Sequence, residues 1–233
     1  MAEPDGRASI ADIAEIYYAP SAVYDGRRNG QFGLPLVVFF IAATVLFFIT
    51  QDLLKPVMDA EWRLASASMM RKNPELTPEA IEQMRGFQKF AVVGIFFYAL
   101  LGPLLAGLIL WIVEKFVGVK QALKVAITVA VFAFYPMLLE QLVNAAQMLV
   151  LSEDSIVSRY SLSLGPARFL GADADPVSRA LLGHVDVFTI WTAILIAIGV
   201  RVTAGASKGQ ATAIAVVMWV LGVIPSLWGA VNA

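Results

Sequence analysis

The chain contains no cysteine and a single histidine, His184. The first absence excludes a disulfide framework, a thiolate metal site and a cysteine nucleophile; the second excludes a multi-histidine metal centre. Charge is scarce as well. Asp, Glu, Lys and Arg make up 15% of the 233 residues, where a soluble domain carries about 25%. The charges present nearly cancel, to −1, and no block of one sign interrupts the chain, so there is no basic footprint for nucleic acid and no acidic tail. Catalytic signatures are missing too: no Gly-x-Ser-x-Gly elbow, no His-Glu-x-x-His, no Walker loop and no pair of aspartates inside an apolar run. Gly205-Ala206-Ser207-Lys208-Gly209 lacks the spacing of a phosphate loop and follows an apolar run instead of a strand. His184 and Asp186, two residues apart before another apolar run, read as a solvated helix start with the acid near the dipole's positive end. No catalytic residue, cofactor or metal ligand is therefore expected.

What the chain has instead is long apolar runs. Hydrophobic residues are 59% of the total and the mean hydropathy is +0.74, an excess that something other than water must solvate. Five runs, at about 32–50, 90–113, 124–151, 186–204 and 210–231, are near the roughly 20 residues a helix needs to cross hydrocarbon. The expected fold is all-α: a five-span membrane domain over 32–233, preceded by a segment over 1–31. That segment holds Asp5, Arg7, Asp12, Glu15, Asp25, Arg27 and Arg28 before any long apolar run, so it is not a cleavable secretory signal of the usual build. Ile10, Ile13, Ile16, Tyr17, Val23 and Tyr24 put apolar and aromatic groups near one face, broken at Pro20. This predicts an interfacial helix on the membrane surface, with a docking site for a partner as the alternative.

Between the first two runs, Gln51 to Lys89 holds six acidic and six basic residues, too polar to cross. Within it Thr77-Pro78-Glu79 has the order of N-cap, N1 proline and acidic first turn, which predicts a helical loop. A second polar loop, Ser152 to Val185, carries Gly165-Pro166 and Asp175-Pro176 as turn signals. Gly102 and Ala106 form a small-xxx-small pair that permits close helix contact, inside the protein or between copies. The short connections carry the basic excess: Arg27 and Arg28, then Lys115, Lys120 and Lys124, then Arg201 and Lys208, all on one side of a five-span layout. By the positive-inside rule that side, with the amino terminus, is cytoplasmic and the Gln51 to Lys89 loop is extracytoplasmic.

The third run differs from the other four. It carries Tyr135, Pro136, Glu140, Gln141, Asn144 and Gln147, and at about 100° per residue Pro136, Glu140, Asn144 and Gln147 share one stripe with Ala133. A polar stripe must turn away from lipid, so the other spans are expected to pack around this one. Glu140 lies roughly 22 Å along the run from Val125 at 1.5 Å per residue, with no basic residue comparably deep in the other four. Two readings follow: a hydrogen-bonded seam meeting Thr192, Ser226 or Tyr98, or a polar path for a proton or substrate. Pro136 also frees the carbonyl of Phe132, which invites a polar partner.

Three stretches together resemble a known family. Ile16-Tyr17-Tyr18-Ala19-Pro20 precedes the first span, and Gly118-Val119-Lys120-Gln121-Ala122-Leu123-Lys124 leads into the span with Tyr135-Pro136. Asp186-Val187-Phe188-Thr189-Ile190-Trp191 then runs through Gly199 to Ser207-Lys208-Gly209-Gln210-Ala211. In this order they resemble the Yip1 domain family, in its bacterial branch, over about Ile13 to Val231, with Asp186, Phe188 and Trp191 as the motif of span four. The resemblance implies five transmembrane helices with a cytoplasmic amino terminus and a role without catalysis. Eukaryotic members resemble adaptors that work with Rab-type small GTPases and with one another. This chain lacks the Asp-Leu-Tyr-Gly-Pro pattern before the first span and has Tyr135-Pro136 where a Gly-Tyr-Ser element is expected, so a small-GTPase partner is not carried over. Some bacterial relatives resemble accessory proteins of membrane export machinery. The expectation is a non-enzymatic adaptor, scaffold or assembly factor in the bacterial cytoplasmic membrane, its partners being the bilayer and other membrane proteins, with export machinery or a second copy as candidates. The alternative is a small transporter or permease component with a path lined by Glu140, Asn144 and Gln147.

Overall fold

A backbone crossing hydrocarbon has no water to bond with, so each spanning segment must satisfy its own amide groups, and helices do this locally. In a computed structural model, which describes residues 11–86 and 88–232 and the side chains of these outside 88–92, every regular element is helical. The helices are α1 (Ala11–Glu15), α2 (Pro20–Asp25), α3 (Gly33–Thr50), α4 (Lys55–Lys72), α5 (Pro78–Arg85), α6 (Gln88–Phe116), α7 (Leu123–Ala133), α8 (Pro136–Met148), α9 (Pro176–His184), α10 (Val187–Ala204) and α11 (Lys208–Val231). Five segments among them are long and apolar enough to cross a membrane: Gly33–Thr50, Val93–Phe116, Leu123–Met148, Val187–Ala204 and Lys208–Val231. The third is 61% buried and the other four 22–28%, the difference its polar stripe predicts. Those four turn apolar faces outward, as with Val37, Ile41, Val45 and Phe48 on α3 or Val216, Val220 and Ile224 on α11, at helical spacing. Rows of this kind are out of place against water and suit lipid.

The chain divides into two compact units. The first comprises Met1–Val45, Phe97–Leu139 and Phe188–Leu221. Its centre is α7, where Val125, Ala126 and the run from Thr128 to Ala133 are buried. Two glycines let neighbouring helices approach. A Cβ on Gly107 of α6 would lie 2.5 Å from the Ile127 Cα, and one on Gly199 of α10 would lie 2.5 Å from a Val129 methyl and 3.1 Å from the Tyr24 ring. At Gly102 the nearest atoms are ring carbons of Tyr98 and Phe134, 3.3 Å and more away, so the close approach of α6 to α7 is at Gly107, the residue after Ala106, and not at Gly102.

The second unit comprises Leu46–Phe96, Glu140–Val187 and Gly222–Ala233. Its small apolar core is Ala60 of α4 with Ile156 and Leu162 of the second polar loop, edged by Leu54, Val57, Met148 and Leu151. The Thr77 hydroxyl accepts from the Ala80 amide at 3.3 Å, so the expected N-cap forms, and α5 ends at Arg85. In the other loop Asp175-Pro176 does more than turn the chain: the Asp175 carboxylate accepts from the Ser178 amide at 2.8 Å and starts α9. Ion pairs join Arg85 to Asp59 and Arg159 to Glu61 within this unit.

Candidate functional site

Proline at 136 cannot continue a helix from the preceding turn, because it lacks an amide hydrogen and its ring collides with the carbonyl four residues back. The third span accordingly breaks: α7 stops at Ala133 and α8 restarts with Pro136 in its first turn. The carbonyl of Phe132 that the proline frees is taken up by the Tyr135 amide at 3.3 Å. In the first unit the break sets Tyr135 at the middle of an aromatic cluster. Its ring is fully buried, stacks on Phe132 with centroids 5.8 Å apart, and meets Phe39 at 5.6 Å; its hydroxyl donates to the Pro35 carbonyl at 2.7 Å.

The amino-terminal segment docks onto this cluster. Tyr17 donates its hydroxyl to the Tyr135 carbonyl at 2.9 Å and sets its ring against Tyr135 at 6.5 Å and against Trp191 at 5.8 Å, both edge-on. Tyr24, with no exposed surface, donates to the Val129 carbonyl at 3.3 Å. Ile16 and Val23, read from the sequence as part of an interfacial face, are buried here, while Tyr18 points outward. The three stretches that carry the family resemblance thus each contribute one ring to one place: Tyr17, Tyr135 and Trp191. Phe188, one turn before Trp191, is buried in the same unit.

Burial pushes the Tyr17 phenol from 10.0 up to about 12 and raises Tyr24 further in the same direction. Both bind their protons more tightly folded than unfolded. The Tyr17 contribution to stability is therefore complete below the unfolded value of 10.0 and is lost as pH rises through about 12, and that of Tyr24 persists to still higher pH. We expect the melting midpoint in detergent to fall above about pH 10, and the fall to be smaller in Tyr17→Phe, whose ring has no proton to lose.

The same unit holds a polar knot that the sequence did not disclose. Glu114, assigned from hydropathy to a connection, lies inside α6 with no exposed surface. One carboxylate oxygen accepts from the Gln121 side-chain amide, whose oxygen accepts from the Thr203 hydroxyl at 2.8 Å; the other oxygen has no partner. Trp111 donates its indole N–H to the Gln121 carbonyl at 3.1 Å, and the Lys115 ammonium lies 3.2 Å over the Trp111 ring. The one usable signal was Glu114 as the lone acid beside three lysines, seven residues before Gln121 in the family-like stretch.

In the second unit two glutamines of the third span meet protein groups. Gln141 donates to the Thr50 hydroxyl at 3.1 Å. Gln147 donates to the Leu162 carbonyl at 2.8 Å and, more weakly, to Asn144 at 3.5 Å, and accepts from the Arg168 guanidinium at 2.6 Å. Glu140 is half-buried and makes no hydrogen bond among the described residues; Asp186 is its charged neighbour. Asp186 itself is 6% exposed, where the sequence suggested a solvated position. Its carboxylate accepts from the Ser163 hydroxyl and from the Leu164 amide, both at 2.7 Å, and so pins the polar loop to the start of α10. His184 packs at Gly222, whose added Cβ would lie 3.0 Å from the imidazole Cε1. A cleft of about 840 Å³ in this unit is lined by α4 and by residues from Met148 to Val157; Glu140, Asn144 and Gln147 do not line it. No cluster of three or more metal-ligating side chains occurs among the described residues.

No curated protein sequence and no solved structure matches the chain. The family model for the Yip1 domain matches residues 15–229, from the docked amino-terminal helix through the last span. The aromatic cluster, the broken third span and the five apolar helices all fall inside that match, and the chain is an integral membrane protein that belongs to the Yip1 domain family.

Proposed function

We propose that this protein is a non-enzymatic adaptor or assembly factor that works through lateral contacts between its spans and other membrane proteins, in the bacterial cytoplasmic membrane with its amino terminus in the cytoplasm. The observation that carries this reading is where the polarity of the third span goes. Gln147 on the stripe is engaged by Leu162 and Arg168, and Gln141 beside it by Thr50, which supports an internal seam over the wall of an opening. The outward surface left to act on a partner is the apolar face of α3, α6, α10 and α11. Such faces recognise other helices by close packing within the bilayer. Photo-crosslinking residues placed at Ile41, Leu105 and Val220, each about half exposed, test this in native membranes with mass spectrometric readout. Recovery of a defined membrane protein is expected; adducts with lipid alone at all three positions overturn the reading.

Glu140 favours a second reading, a transporter component, because its carboxylate has no hydrogen-bond partner among the described residues. On the adaptor reading Glu140→Gln leaves folded yield and partner recovery unchanged. Loss of a proton-coupled flux in proteoliposomes on this substitution would reverse the ranking.

Orientation has a direct test because the chain has no native cysteine to remove. Single cysteines at Tyr18, 74% exposed, and Met70, 43% exposed, report the two sides. With the basic connections cytoplasmic, an impermeant maleimide applied to intact cells labels position 70 and spares position 18 until the membrane is opened.

A further inference from the structure

The polar loops of the second unit do more than cover the ends of the spans. The chain leaves α3 at Thr50 and α8 at Met148, and immediately beyond both points the cleft of about 840 Å³ opens between one face of α4 and the turn over Glu153–Ser155. Its lining includes the apolar side chains of Leu53, Leu64, Met148 and Leu151. Its rim carries both signs of charge. On the α4 side Lys55 is 2.7 Å from Asp52, Asp59 lines the cleft and is paired with Arg85, and Arg63 donates from one guanidinium nitrogen to the Ile156 carbonyl at 3.3 Å, which leaves its other donors uncommitted among the described residues. On the opposite side Glu153 and Asp154 are exposed carboxylates with no ion pair among the described residues.

The size falls within the roughly 300–1,000 Å³ of small-ligand sites, and the lining asks for a ligand with a cation, an anion and an apolar end. Position narrows the chemistry. The cleft begins where two apolar spans end, which is the depth of the headgroup layer for a chain held in a bilayer. We propose that it binds one zwitterionic phospholipid by its headgroup: the primary ammonium to Glu153 and Asp154, the phosphodiester to Arg63 and Lys55, and the first part of the acyl chains against Met148 and Leu151. An ammonium beside two free carboxylates, and a phosphate beside a guanidinium, are charge-assisted hydrogen bonds, stronger than neutral ones. The lining carboxylates Asp52, Asp59, Glu153 and Asp154 outnumber Lys55 and Arg63, so an anionic lipid sets its net charge against the cleft and the site discriminates between lipids by the ammonium. This assignment is independent of the adaptor reading.

The test uses the full chain in mild detergent, with lipid retention followed by native mass spectrometry. Phosphatidylethanolamine, phosphatidylglycerol and soluble phosphoethanolamine are offered separately at equal concentration. One phosphatidylethanolamine is expected to be retained about tenfold better than phosphatidylglycerol, a difference of about 1.4 kcal/mol. The double substitution Glu153→Gln, Asp154→Asn sits on exposed positions that hold no packing contact in the core cluster, and it should abolish this preference. Glu75→Gln, also exposed and away from the cleft lining, should leave it intact. Equal retention of the two lipids by the unsubstituted chain, or a preference that survives the double substitution, overturns the proposal. Soluble phosphoethanolamine binding as tightly as the lipid overturns the assignment to a membrane source.

Discussion

Arg27→Ala is expected to release the amino-terminal helices and to lower stability by about 3–5 kcal/mol, the cost of removing one partner from a buried ion pair. Arg27 is 4% exposed and reaches two groups at once, the Asp12 carboxylate on α1 and the Gln31 side chain at 3.0 Å. Without the guanidinium, Asp12 is held in a poorly solvated place without that cation, and α1 loses what fixes it beside α2. Limited proteolysis should cut between residues 11 and 31 in the variant and not in the parent, and the melting midpoint in detergent should drop. The spans themselves should still insert, because their apolar runs are untouched. Arg27→Lys should recover only part of the loss, since a single ammonium cannot present a fork to both acceptors. Replacing both members, Asp12→Leu with Arg27→Met, should recover most of it by removing the buried charges together. A proteolysis pattern unchanged by Arg27→Ala would show that Tyr17 and Tyr24 hold the segment unaided.

Asp186→Ala should cost about 3 kcal/mol through two charge-assisted hydrogen bonds, and the effect should appear in the loop before it appears in the spans. The Ser163 hydroxyl and the Leu164 amide both point at this one carboxylate, and removing it takes the acceptor from two part-buried donors. Hydrogen exchange at the Leu164 amide should accelerate at least tenfold, with a smaller rise over Arg159–Leu162. Both donors share one carboxylate oxygen, so Asp186→Asn can keep both bonds through its amide oxygen and, losing only the charge, should lose roughly half as much. The contrast with Glu140 is informative, because the two acids are neighbours in one unit and the expected effects on stability are opposite in size.

The spans were legible because hydropathy is a local property: five apolar runs need no knowledge of their neighbours to be seen. The N-cap at Thr77 was legible for the same reason, since its partner Ala80 is three residues away. Asp175-Pro176 was read as a turn where it starts α9, because the same residue order serves both and only the following backbone decides. The limits of α6 were missed at its carboxyl end, where Glu114 breaks the apolar pattern and yet stays helical and buried. The amino-terminal face was read from spacing as apolar, which it is, but spacing does not say what covers a face. The covering groups are Tyr135, Val129 and Trp191, more than a hundred residues away, and no periodicity connects Tyr17 to them. Gln147 of the polar stripe meets Leu162 and Arg168, which belong to a loop that carries no transmembrane signal, so hydropathy gives no pointer to them.

The docking of Tyr17 also fixes an order of events during synthesis. The segment that carries it leaves the ribosome first, yet its acceptor at Tyr135 lies 118 residues downstream and its ring partner Trp191 lies in the fourth span. At about 5–20 residues per second, a nascent chain spends on the order of ten seconds or more with those first helices made and their seat unfinished. During that interval Ile16, Tyr17, Val23 and Tyr24 face water or the membrane surface with no partner from their own chain. A factor that binds the early segment, or a headgroup layer that holds it, acts before the fourth span arrives and must let go afterwards. Expression tags fused ahead of Ala11 therefore load a step of assembly that waits for the fourth span.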